Sequence, residues 1–150
     1  MLEYLNSKLL KYIKGSHTKQ EVLEIMVGLM KESGNLTGDP KVFLEKIEER
    51  EKIGSTGIGM GVAVPHARST DINKVTVAIG VLENRVNFNS LDGEPVKIVA
   101  MVAAPKEQSK EYLTLLSTLS RVFRNQEYRE SLMECSNQQE LIEAVAEMKI

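Results

Sequence analysis

Two short stretches leave this chain little freedom of architecture. Residues 75–82 (VTVAIGVL) and 96–104 (VKIVAMVAA) are almost unbroken apolar runs rich in Val and Ile. β-Branched side chains crowd a helix but suit a pleated strand, and a strand without polar alternation reads as buried. Between the two runs, NSLDGEP has the Asp, Gly and Pro of a turn. Segments of helical periodicity lie on either side. Helices and strands therefore interleave, and the fold class is α/β.

The helical segments announce their own starts. Thr18-Lys19-Gln20-Glu21 is a capping box, with Val22, Ile25, Met26, Leu29 and Met30 on one face after it and Gly34 to end it. Asp39 followed by Pro40 predicts a second helix, burying Val42, Phe43 and Ile47 and running to about Glu51. Ser109 is the predicted N-cap of a helix carrying Leu113, Leu116, Leu119, Val122 and Phe123. Asn137-Gln138-Gln139-Glu140 opens a last helix with Leu141, Ile142 and Val145. Residues 1–17 stay open between two readings: Leu2, Leu5, Leu9, Tyr12 and Ile13 fit a helix, but a short strand and turn fit as well.

Composition narrows the function classes. The 150 residues suit one compact domain, which at this size buries roughly two-thirds of its unfolded surface. Nineteen Lys+Arg against 21 Asp+Glu leave a net charge of −2, without the basic excess that nucleic-acid binding needs. No apolar run approaches the ~20 residues of a membrane span. The N-terminus, MLEYLNSKLLKYIK, lacks the uninterrupted apolar core of a signal peptide. A single cysteine excludes an internal disulfide and suits a reducing compartment, so a cytoplasmic protein without membrane insertion is expected. Cys135, beside Ser136 and Asn137 in an inter-helix turn, reads as an inert thiol. Met26, Met30 and Met101 read as core. With only two histidines, neither a metal-ligand set nor a Ser/His/Asp triad is visible, and no cofactor is expected.

Chemistry concentrates in residues 54–66, GSTGIGMGVAVPH, where four glycines and a proline fall within thirteen positions. That is backbone under tight steric demands. It lacks the GxGxxG spacing of a dinucleotide site and the lysine of a Walker loop. Val62 and Val64 alternate with small residues, as in a strand that stops at Pro65, which cannot donate to a ladder. His66 is thus placed at a strand end on the sheet's rim, offered to a partner. A neutral imidazole is a nucleophile for phosphorus, and a carbonyl or carboxylate on its other nitrogen would fix the tautomer. Arg50, sixteen residues upstream, and Arg68, two downstream, are candidate cations for a transferring phosphoryl group. Gly57, Gly59 and Gly61 are candidate N–H donors. His17 reads as an exposed loop residue.

The segment GSTGIGMGVAVPHARS strongly resembles the phosphorylation-site signature of the second, fructose/mannitol-type class of enzyme IIA domains of the bacterial phosphoenolpyruvate-dependent sugar phosphotransferase system. The resemblance takes in EEREKIGSTGIG, NSLDGEPVKIVAMVAAP and YLTLLSTLSRVFRNQEYRESL, and covers roughly residues 18–146. It implies a mixed β-sheet flanked by helices on both faces. It implies that His66 takes a phosphoryl group from phospho-HPr, through the ring nitrogen remote from the backbone and without a metal, and passes it to a cysteine of a IIB domain. Arg50 matches the family's active-site arginine. Several members have a second active-site histidine early in the helix after the last long strand. Here that position is Tyr112, whose hydroxyl offers a secondary hydrogen-bond donor. With no IIB or IIC portion in the sequence, the acceptor is expected on another chain. Two functions use this same site: a relay feeding a sugar permease, and a regulator of the nitrogen type whose phosphorylation state controls partner binding. Retention of Arg50 and His66 argues against a third, a degenerate domain that never takes phosphate.

Overall fold

A computed structural model describes residues 4–148; Leu2 lies outside them. The open reading of the N-terminus resolves as a strand. A 3-10 turn over Ser7–Leu9, capped by the Asn6 side chain on Lys8 N–H, feeds β1 (Leu10–Ile13). Thr18 and Glu21 make the full reciprocal capping box of α1 (Lys19–Glu32), and Gly34 follows in the left-handed region at φ +85°. In α2 (Pro40–Ile53) the Asp39 side chain accepts from Lys41 N–H and Pro40 occupies the first turn. Phe43 and Ile47 are fully buried, but Val42 is 43% exposed. It lies ~100° around the helix from Phe43, off the buried stripe.

Five further strands complete one mixed sheet: β2 (Gly57–Gly59), β3 (Val62–Ala63), β4 (His66–Arg68), β5 (Thr76–Val86) and β6 (Val96–Ala104). Their order is β1-β5-β6-β3-β2, with β4 also paired to β6. β5 and β6 are antiparallel, as are β2 and β3; β1 runs parallel to β5, and β3 and β4 parallel to β6. β6 has the predicted limits. β5 runs past its apolar run through exposed Glu83, Asn84 and Arg85, because Val86 still pairs with Val96.

Alternation along β5 and β6 builds two cores. Ala78, Leu82, Val99 and Met101 pack with Met26, Met30, Phe43 and Ile47 of α1 and α2. Val77, Ile79, Val81, Ile98 and Val102 pack on the other face with Leu115, Leu119, Phe123, Leu141 and Val145. These last come from α3 (Ser109–Arg124) and α5 (Gln138–Glu147), with α4 (Gln126–Met133) between them. A mixed sheet with helices on both faces is therefore the architecture, as expected. No helix of the described residues is long and apolar enough to cross a membrane.

The C-terminal half departs from the sequence reading in four places. Gln108, not Ser109, is the N-cap of α3, and it makes no side-chain cap bond. Ser109 Oγ is engaged by Arg68 and by the Lys106 carbonyl instead. The stripe that α3 buries is Tyr112, Leu115, Leu119 and Phe123, leaving Leu113 62% exposed. In a helix as rich in leucine as YLTLLSTLSRVF, two neighbouring stripes share the 3.6-residue period, and only packing selects one. α4 is an additional helix: Asn125 ends α3, and its side chain caps α4 through Tyr128 N–H. At α5, Asn137 accepts from Glu140 N–H, but the Glu140 carboxylate takes the Ser136 N–H and hydroxyl, so the box is only half formed.

Candidate functional site

β3 and β4 are two pieces of one path along β6. Val62 lies opposite Ile98, Ala63 opposite Val99, and after the break His66 opposite Val102. Val64 and Pro65 span the gap without shifting the register. His66 therefore opens a short strand rather than ending one, a correction to the sequence reading, which took Pro65 as a terminus. Proline removes one N–H, but its own carbonyl still accepts from Val102 N–H at 2.9 Å, so the path resumes.

The Val64 carbonyl, on the strand edge away from β6, is bonded by the histidine. His66 Nδ1 lies 2.7 Å from Val64 O. A carbonyl oxygen only accepts, so the neutral ring carries its proton on Nδ1 and keeps the Nε2 lone pair. The half-buried ring sits below its ordinary pKa of 6.5, chiefly through burial. The Val64 bond raises it, Arg50 lowers it, and Glu51 raises it. The neutral, nucleophilic form is thus favoured at neutral pH.

Arg50 and His66 line one shallow cleft of about 150 Å³ with Thr56, Ile58, Leu116 and Ser120. Arg50 stands in the last turn of α2, where a cation suits the helix dipole. Its Nη1 donates to Gly54 O at 2.7 Å, which uses one of the five guanidinium donors. The neighbouring Glu51, which the sequence marks only as the approximate end of the helix, anchors the site loop. Its carboxylate accepts from Thr56 Oγ1, from Thr56 N–H at 3.3 Å, and pairs with Lys19 at 2.8 Å. Thr56 O in turn accepts from Val64 N–H at 3.0 Å, tying α2 to the segment that carries His66.

The glycines solve a steric problem. Gly57 N–H is already donated to Ser55 Oγ at 3.0 Å. Gly59 (φ +91°), Met60 (φ +58°) and Gly61 (φ +79°) make the tight left-handed turn between β2 and β3, with Met60 N–H held 2.9 Å from Asp92 Oδ2. At Gly57 a Cβ would overlap Ser90 Oγ and stand 2.9 Å from Ser90 Cβ. Gly57→Ala should accordingly destabilise the protein by about 1–3 kcal/mol, the scale of overpacking. Adding Ser90→Gly should return part of the loss. Chemical denaturation of the single and double variants checks this, and equal stability of Gly57→Ala and wild type would refute it.

Arg68 does not line the cleft. Its Nη1 donates to Lys106 O at 3.3 Å and to Ser109 Oγ, and its guanidinium lies 5.7 Å from the centre of the Tyr112 ring. Tyr112 is buried at the end of the first turn of α3, its ring 5.9 Å from that of His66 in an edge-on arrangement at 61°. Its hydroxyl makes no hydrogen bond to another described residue. Burial pushes its pKa up to about 12 against the opposing pull of Arg68 and Arg50, so it stays protonated. His17 Nε2 is 2.7 Å from Lys14 O in its own loop. Among the described residues, no cluster of three or more His, Cys, Asp or Glu could hold a metal.

This geometry has known counterparts. The family model described as "Phosphoenolpyruvate-dependent sugar phosphotransferase system, EIIA 2" matches residues 3–148. The chain is 33% identical over 143 residues to the PTS system fructose-specific EIIABC component of Bacillus subtilis, covering 95% of itself but only 22% of that relative. It is 30% identical over 131 residues to the PTS system fructose-specific EIIA component of Haloferax volcanii, covering 87% of itself and 84% of the relative. Among solved structures, Nitrogen Regulatory Protein IIA-Ntr from Neisseria meningitidis superposes with a TM-score of 0.84 at 29% identity, over 95% of this chain and 97% of that one.

Proposed function

Because the chain belongs to the EIIA 2 family of the phosphoenolpyruvate-dependent sugar phosphotransferase system, we propose that it is a cytoplasmic phosphoryl carrier acting through His66. The observation that carries this reading is the bond from His66 Nδ1 to the Val64 carbonyl, which leaves Nε2 as the nucleophile beside Arg50. The Nε2 lone pair attacks the phosphorus of phospho-HPr. The donor's P–N bond breaks, and its electron pair returns to the donor imidazole. In the second step a thiolate on a IIB domain attacks the phosphorus, and the P–Nε2 bond breaks toward His66. The guanidinium of Arg50 meets the charge on the phosphoryl oxygens in both steps.

The shape of the site supports a protein donor. A cleft of about 150 Å³ is well below the ~300–1,000 Å³ of small-molecule pockets. Around it stand exposed apolar side chains: Ile58 in the lining, Ile53 at the end of α2, and Leu113 one turn before Leu116 on α3. Such a rim suits a docked surface. Leu113→Glu should therefore raise the KM for phospho-HPr about tenfold with unchanged stability, the cost of a charge desolvated in an interface. Steady-state transfer kinetics measure it, and an unchanged KM would place Leu113 outside the docking surface.

The likeness to IIA-Ntr favours a second reading, a regulator whose phosphorylation state controls partner binding. One experiment tests both. The chain is incubated with phosphoenolpyruvate, enzyme I and HPr, then chased with fructose- and mannitol-type IIB domains. Uptake followed by discharge to a IIB cysteine is the expected result for a sugar relay. Uptake without discharge to any IIB domain points to the regulator, and no uptake sinks the carrier reading.

A further inference from the structure

On β4, His66 and Arg68 are alternate residues and share a face, while Ala67 between them enters the opposite core. The ring of Tyr112 lies against both, 5.9 Å from the imidazole and 5.7 Å from the guanidinium. These spacings belong to edge-to-face aromatic and cation–π contacts. Arg68 is tied through Lys106 O and Ser109 Oγ to the start of the helix that carries Tyr112. A guanidinium so engaged is turned away from the Arg50 cleft. The Tyr112 hydroxyl has no hydrogen-bond partner among the described residues, so what Tyr112 offers His66 is its ring.

Resting on the reading of His66 as phosphoryl acceptor, we propose that Tyr112 and Arg68 are positioning residues: the Tyr112 ring, held by Arg68, keeps the imidazole in the orientation that bonds the Val64 carbonyl and points Nε2 into the cleft. Four ionisable groups face the imidazole or its aromatic neighbour: Arg50 and Glu51 from α2, Arg68 from β4 and Tyr112 from α3. Removing the ring lets water reach the imidazole, and burial is the largest cause of its depressed pKa. The imidazole is then freer to leave the carbonyl, and the Nδ1–H tautomer loses its advantage.

The test is a nitrogen-15 NMR titration of His66 with phosphoryl-transfer rates in wild type, Tyr112→Phe, Tyr112→Leu, Arg68→Gln and Arg68→Lys. Tyr112→Phe keeps the ring and should match wild type in tautomer and titration midpoint, with transfer within about twofold. Tyr112→Leu should move the midpoint up toward 6.5, mix the tautomers and slow transfer about tenfold, the low end of what misplacing a reacting group costs. Arg68→Gln should shift the midpoint less in the same direction, and Arg68→Lys should restore part of it. Arg68 is exposed, so its variants report even where the buried Tyr112→Leu lowers stability. Three results overturn the proposal: a His66 tautomer and midpoint indifferent to both Tyr112→Leu and Arg68→Gln; a Tyr112→Phe as slow as Tyr112→Leu, which gives the role to the hydroxyl; or an Arg68→Gln slow in transfer with an unmoved titration, which puts Arg68 on the phosphoryl group. Failure of the carrier reading looks different: wild type takes up no phosphate, yet the titration of His66 still answers to Tyr112.

Discussion

His66→Ala should take up no measurable phosphate from phospho-HPr, a loss of at least about 10⁴-fold, as expected when the nucleophile of a covalent relay is deleted. The other histidine, His17, sits in the loop before α1 and does not line the cleft with Arg50. The fold should survive. His66 is half-buried, and its deletion leaves one carbonyl, Val64 O, without its donor, at about 1 kcal/mol. Intact-mass spectrometry under non-acidic conditions reads the outcome: wild type gains a phosphoryl group on the peptide holding His66 and the variant gains none. An equal gain in the variant would falsify the assignment. The same histidine sets a pH dependence. Its folded-state pKa lies below the 6.5 of the free side chain. The unfolded chain therefore binds the proton first as pH falls. Stability from this residue is fully present above 6.5 and is lost as pH drops through the folded-state value. Transfer should follow that lower value, so its acid limb should fall below 6.5. Rates at subsaturating phospho-HPr from pH 5 to 8, which report the free protein, would expose a limb on the wrong side.

Arg50→Ala is expected to slow transfer by about 10²–10³-fold, the cost of removing one group that meets developing charge on a transferring oxygen anion. The structural loss is smaller and separable. It removes the bond to Gly54 O at the end of α2, about 0.5–1.5 kcal/mol. Arg50 also holds the His66 pKa down. The variant's acid limb should therefore move up, toward 6.5, while its maximal rate stays low. Thermal denaturation and transfer rates on the same sample divide the two contributions. A variant that unfolds readily but transfers at the wild-type rate while folded would make Arg50 a structural residue only.

The sequence was most legible where local chemistry and packing agree. Thr18 with Glu21, and Asp39 with Pro40, are caps whose partners lie within three residues, and both helices start where those residues say. The Val- and Ile-rich runs sit in the sheet centre, where the two core-facing sets leave Thr76 and Lys97 as their only polar positions. Legibility failed where a distant partner decides. Ser109 has the chemistry of a cap, but Arg68 claims its hydroxyl. Leu113 and Leu115 are equally good core residues, and the sheet accepts one. Arg50 and Arg68 both read as cations for a phosphoryl group, but only Arg50 lines the cleft with His66. The place of Tyr112 was legible only through the family resemblance, which puts a second histidine at that position. Its contacts with His66 and Arg68 were not, because they join β4 to α3 across some forty residues of chain.

The main-chain partner of His66 has a wider meaning for how this histidine is maintained. The bond that selects its tautomer comes from main chain, two positions earlier on the same path. Substituting a neighbouring side chain cannot delete that acceptor; only a change in backbone course can. The acceptor is placed by the course of the segment, which Val64 N–H ties to Thr56 O on one side and Pro65 O ties to Val102 N–H on the other. A chain that closed the gap between β3 and β4 into continuous strand would still carry a histidine at the same place along the sheet, opposite Val102. Its Val64 carbonyl would still face the Thr56 side, where Val64 N–H bonds Thr56 O, and not β6. The acceptor that selects the reactive nitrogen is, in this sense, written into the main chain.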